Sequence, residues 1–148
     1  MKELSGDGAT CLQVEVDTLD NQLSQVKRVD FLKIDAEGYE PLILKGAQQL
    51  LQRSPDCALI LEIMTYAWER LGSISDLLRP IIGNKAIFAI THETKIVRVE
   101  LERVRAYMDS VPTGLCYFFI LPDRPEFLER VSRFRTTTPT LDLRDDAG

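Results

Sequence analysis

The spacing of apolar residues changes along the chain, and each change predicts an element. Leu12, Val14 and Val16 alternate with Gln13, Glu15 and Asp17, the period-2 signature of a strand with one wet face. Thr18-Leu19-Asp20 then opens a short helical stretch, for which Asp17 or Thr18 is the expected N-cap. Residues 29–35 (VDFLKID) and 58–63 (ALILEI) are apolar enough to predict strands covered on both faces, as parallel strands usually are. Between them, Pro41 suits the first helical position, where its missing N–H has no partner to lose. Ile43, Leu44, Ala47, Leu50 and Leu51 fall on one helical face and Lys45, Gln48, Gln49, Gln52 and Arg53 on the other, so a helix from Pro41 to Arg53 should pack one face on the sheet. Gly46 inside it should cost about 1 kcal/mol relative to alanine. A close approach of helix to sheet is the expected compensation.

Further along, residues 66–71 leave their state open, while Ser73 to Ile82 reads as a short helix stopped by Gly83-Asn84. Lys85 to Thr91 and Lys95 to Val99 form an expected hairpin around His92-Glu93-Thr94, and Leu115 to Leu121 is a further buried strand closed by Pro122. A last helix is expected from Pro125 to Phe134. From Arg135 the sequence is polar and without period, which predicts a single domain over 1–134 and a disordered tail over 135–148.

Composition narrows the class. With 148 residues, 45% hydrophobic and 28% charged, the chain has the make-up of a soluble globular domain that needs no disulfides. A net charge of −5 with no stripe of Lys or Arg argues against a nucleic-acid partner. The longest apolar runs are about six residues against the ~20 of a membrane span, and no signal-peptide core opens the chain, so a cytoplasmic location is expected. Cys11, Cys57 and Cys116 are far apart and read as free thiols rather than a metal site or disulfide framework.

The chemistry gathers in the middle of this pattern. A buried strand stops at Asp35, a loop carries Glu37 and Gly38, a helix follows, and the second strand carries Glu62 near its end. Such a strand-helix-strand crossover collects carboxylates at the end of the sheet where open α/β sheets bind ligands. Asp35 and Glu37 are the residues placed to carry chemistry, and a family resemblance, rather than the spacing alone, makes them the catalytic candidates. The competing structural reading is that Asp35, Glu37 and Glu40 only favour the positive end of the following helix, worth about 0.3–1 kcal/mol each. For Glu40, beside Pro41, that reading is preferred. Lys33, in mid-strand, must be paired or neutral if buried; Glu62 is its expected partner, either as a structural ion pair or as part of a substrate site. Tyr39 could flank a ligand or lie on the surface. Tyr66 and Trp68 read as a packing lid, and His92 as a solvated turn residue.

The strings TLD (18–20), VDFLKIDAEGYE (29–40), LKGA (44–47) and LEI (61–63) resemble the FkbM family of methyltransferases, over roughly residues 14 to 63. The resemblance implies a Rossmann-like fold that uses S-adenosylmethionine, usually to methylate a hydroxyl oxygen of a sugar, lipid or polyketide. In such enzymes the donor lies on a glycine-rich loop after the first strand, with an acid after the second strand holding the ribose. The sequence departs from both, since Gly6-Asp7-Gly8 has no strand before it and reads as a turn. The expectation is the carboxyl-terminal half of that fold: a partial Rossmann-like sheet, mostly parallel with an antiparallel carboxyl-terminal hairpin. No cofactor-binding residue and no metal ligand is assigned. The strand at residues 29–35 should then have an open apolar edge, to be covered by the Leu12–Val16 strand, a second copy, or a separately encoded amino-terminal half. Three functions fit: an O-methyltransferase, with Asp35 removing the acceptor's proton or holding a cation; a non-catalytic binding module of the same ancestry that needs a partner chain; and, less favoured, a metal-dependent enzyme of another class.

Overall fold

In the computed structural model, residues 12–91 and 95–132 are described. The tail from Arg135, the hairpin tip at His92–Thr94, Cys11 and the Gly6–Gly8 turn lie outside them. Five strands, β1 (Phe31–Ile34), β2 (Ala58–Met64), β3 (Lys85–Ile90), β4 (Ile96–Val99) and β5 (Leu115–Pro122), form one sheet in the order β1-β2-β5-β3-β4. The expectation of a mostly parallel sheet is corrected here. Only β1 and β2 pair in parallel; β2–β5, β5–β3 and β3–β4 are antiparallel. β2 and β3 point the same way, but β5 inserts between them and opposes both. An uninterrupted apolar run such as CYFFI is buried on two faces whichever way it points, so the pattern carries no direction.

Sheet alternation separates two packing faces. On the first, Ile34, Leu59, Leu61, Ile63, Ile87, Phe118 and Ile120 meet α2 (Glu40–Lys45), α3 (Gln48–Gln52), α4 (Thr65–Glu69), α5 (Ile74–Ile82) and α6 (Val104–Asp109) in the main core. Among the described residues the second face meets only α7 (Pro125–Ser132), which covers Phe88, Phe119, Leu121 and their neighbours. Beyond α7's reach, this face stays open at β1, where Phe31 is 53% exposed and Lys33 is exposed too. The expectation that β1 is covered on both faces thus fails among the described residues, because it lies at the sheet edge with a helical layer on one side only. Among the described residues it pairs with β2 alone. The Leu12–Val16 strand does not form; Leu12, Val14 and Val16 are irregular and 72–90% exposed. Among the described residues this segment pairs with no strand, not even the open edge of β1, and alternation alone does not hold a lone strand together.

The predicted helix from Pro41 to Arg53 is two helices, α2 and α3, broken at Gly46–Ala47. Asp20, in α1 (Leu19–Gln22), makes the break. In a continuous helix Leu50 N–H would donate to the Gly46 carbonyl. Here that carbonyl takes Asp20 N–H at 2.8 Å, while Leu50 N–H and Gln49 N–H donate to the Asp20 carboxylate at 2.8 and 3.1 Å. A Cβ at Gly46 would meet Thr18 Cβ at 3.1 Å. The close approach that requires this glycine is therefore to α1, not to the sheet. Thr18 caps α1 as expected, accepting Asn21 N–H.

Candidate active site

β1 ends at Ile34, and the chain turns through Asp35-Ala36-Glu37-Gly38 into α2. Glu37 and Gly38 both have positive φ, +52° and +94°. Only glycine takes that region freely. At Gly38 space also forbids a side chain, since a Cβ would stand 2.7 Å from Ala67 Cβ. Glu40 shapes the loop from inside. It is fully buried; Oε1 accepts N–H from Ala36 at 2.7 Å and from Gly38 at 3.1 Å, and Oε2 accepts the Trp68 indole N–H at 3.3 Å. The structural reading of Glu40 holds by this route, with the carboxylate serving loop amides and an indole. Trp68 is buried beneath the loop, whereas Tyr66 is 68% exposed.

Asp35, Glu37 and Glu62 converge beside this loop, one oxygen from each lying within 4.8 Å of the others. Asp35 and Glu37 are exposed, and Glu62 is only 4% exposed. Lys33 pairs with Asp35, Nζ to Oδ2 at 2.5 Å, and not with Glu62 as expected. Its burial was also misjudged, since an edge strand leaves its side chain in water. The Lys33 ammonium, donating to Asp35, holds that carboxyl below its usual range. Burial pushes Glu62 up, and the carboxylates of Asp35, Glu37 and Glu40 add to the shift. Glu62 Oε2 has no hydrogen-bond partner. Tyr39, the remaining candidate, is 65% exposed at the start of α2.

Tyr117 completes the cluster and was missed. It stands opposite Glu62 across the β2–β5 pairing, and its hydroxyl donates to Asp35 Oδ2 at 3.3 Å. The phenol also shares a hydrogen bond with Glu62, which with burial pushes its pKa up to about 12. One O–H proton thus sits between two carboxylates. The signal in the sequence was a polar tip inside the CYFFI run, on the alternation face opposite Phe118. A cleft of about 460 Å³ lined by Asn84, Lys85, Arg98 and Asp123 lies at the opposite end of the sheet, where Arg98 and Asp123 already satisfy each other at 2.5 Å.

Carboxylates gather at the carboxyl ends of two neighbouring parallel strands joined by a helical crossover, the position at which open α/β sheets bind ligands. The profile of the methyltransferase FkbM domain matches residues 2–111, and the chain belongs to that family. Comparisons with curated proteins and with solved structures found no match. Family membership explains which motif residues build and which are left over: TLD and LKGA form the α1–α3 clasp, whereas the acids of KIDAEG and LEI meet at the open face. The family generally implies S-adenosylmethionine. Among the described residues no cradle for it is formed, because the strand-to-helix turn that carries glycine is filled by Ala67 and closed around Glu40. Cys57 and Cys116 are free and buried, and burial pushes both thiols up to about 11. No described helix is long and apolar enough to cross a membrane.

Proposed function

We propose that this chain carries the acceptor side of an S-adenosylmethionine-dependent O-methyltransferase, built on the second half of a Rossmann-like sheet. The observation that supports this most is the convergence of Asp35, Glu37 and Glu62 at one sheet end in a member of the FkbM family. An acceptor hydroxyl must be aimed and must lose its proton as it reacts. Asp35, kept anionic by Lys33, accepts the hydroxyl's hydrogen bond and fixes the direction of its lone pair. The same pairing makes Asp35 a weak base. Glu37 lies beside it, and Glu62, whose proton affinity is raised, is the stronger acceptor of the released proton when ionised. Lys33, Glu62 and Tyr39 border the acceptor, a hydroxyl of a sugar, lipid or polyketide in a cytoplasmic setting. The donor's cradle comes from outside the described residues, whether in this chain, a second copy, or a separate chain.

A binding module of the same ancestry is the second reading. Calorimetry of the full chain with S-adenosylmethionine separates the two. Weak or undetectable binding is expected; micromolar binding at one site per chain would mean that a cradle forms in this chain after all. In a preparation that transfers methyl groups to a hydroxyl acceptor, Asp35→Asn should abolish turnover while the thermal midpoint stays in place. Undiminished turnover would remove Asp35 from the chemistry.

A further inference from the structure

We propose that Asp35, Glu37 and Glu62 form a binding site for one divalent cation with a preference for oxygen ligands, such as magnesium, manganese or calcium. Two independent observations carry this. The first is geometric: one oxygen from each carboxylate lies within 4.8 Å of the other two. Ligands on opposite sides of a magnesium ion are about 4.2 Å apart and on opposite sides of a calcium ion about 4.8 Å apart, twice the metal–oxygen distance. Three oxygens at these separations can share one ion without rebuilding the backbone. The second is Glu62 Oε2, which is buried in the sheet and has no hydrogen-bond donor. Buried carboxylate oxygens are ordinarily satisfied, and Glu40, in the helix that follows Glu37, shows what satisfaction looks like, with three N–H groups on its two oxygens. A buried carboxylate with one bare oxygen, standing beside two other carboxylates, is short of a cation.

Charge points the same way. Lys33 offsets one of the three carboxylates by pairing with Asp35. With all three ionised, the remainder matches the charge of a single divalent ion. Tyr117 cannot supply it, because its one proton already serves Asp35 and Glu62. Exposed Asp35 and Glu37 leave the ion's outer side to water or to a ligand hydroxyl. In the methyltransferase reading that hydroxyl belongs to the acceptor, and coordination lowers its pKa. That role rests on the reading above, whereas the binding itself does not.

The test is a titration of the full chain with Mn²⁺, followed by the electron paramagnetic resonance of the free ion in the absence of any methyl donor. One site per chain with a sub-millimolar dissociation constant is expected. Glu62→Gln and Asp35→Asn should each weaken it at least tenfold, with thermal melts confirming that both variants remain folded. Lys33→Met should tighten binding several-fold, because it removes a positive charge from the rim of the site; a merely disruptive substitution would not. No site filled at millimolar Mn²⁺, or equal affinity in wild type and Glu62→Gln, overturns the proposal. Intact Mn²⁺ binding in a chain with no methyl transfer would sink the acceptor role alone and leave the cation site supported.

Discussion

The clasp between α1 and α3 and the cluster at the ends of β1 and β2 use the same functional group to opposite ends. In the clasp, both Asp20 oxygens take backbone N–H groups of a neighbouring helix. At the cluster, Asp35, Glu37 and Glu62 face one another, with one lysine and one phenol among them. Glu40 lies a few residues from the cluster yet belongs with Asp20, since its carboxylate is fully occupied by loop amides and the Trp68 indole. An acid whose oxygens are all matched to donors holds the fold. Acids gathered with fewer donors than oxygens oppose folding, and proteins retain such arrangements chiefly where function needs them.

The largest effect that tests this division falls on Glu40. Glu40→Ala leaves two loop amides and an indole N–H without their acceptor in a fully buried place, and should destabilise the chain by about 2–4 kcal/mol in urea unfolding. A loss below about 1 kcal/mol would mean that water or a shifted loop replaces the carboxylate, and that Glu40 does not belong with Asp20.

Much of this was legible in the sequence, and the failures share a cause. Periodicity shows which face of an element is apolar, so the cores of α2 and α3, the hairpin of β3 and β4, and the burial of β5 followed directly. It does not show which group competes for a backbone hydrogen bond. Asp20 lies far from Gly46 in sequence, and nothing near Gly46 announces that its carbonyl goes to another helix. Nor does periodicity show what lies beside a strand: Leu12 to Val16 alternates well and pairs with no described strand, while β1 looks doubly buried and lies at an edge. The acids at the sheet end were found because a strand, an acidic glycine loop and a helix are contiguous. Tyr117 was missed because it arrives from a strand that is distant in the chain.

A smaller effect is expected at the clasp itself. Asp20→Ala removes the acceptor for Gln49 and Leu50 N–H at the start of α3, a loss comparable to an N-cap deletion, about 1 kcal/mol. Hydrogen exchange should quicken at Leu50 more than at the amides of β2. Uniform quickening instead would show that α3 unfolds only with the whole domain, so that Asp20 supports the core rather than one helix end.

The smallest effect on stability should come from the most buried acid of the cluster, and it is the sharpest test of the comparison. Glu62→Gln keeps the shape of the side chain, removes a charge that burial and three neighbouring carboxylates oppose, and supplies N–H donors toward Asp35 and Glu37. In the presence of a chelator, its unfolding free energy should match or exceed that of the wild type, by less than about 1 kcal/mol. Adding Mn²⁺ should reverse the order, because an ion that binds only the folded wild type stabilises it in proportion to the logarithm of its concentration over the dissociation constant. If Glu62→Gln is instead as damaging as Glu40→Ala in the chelator, Glu62 is a structural acid like Asp20. The division between acids that hold the fold and acids that act would then have to be redrawn around Asp35 and Glu37 alone.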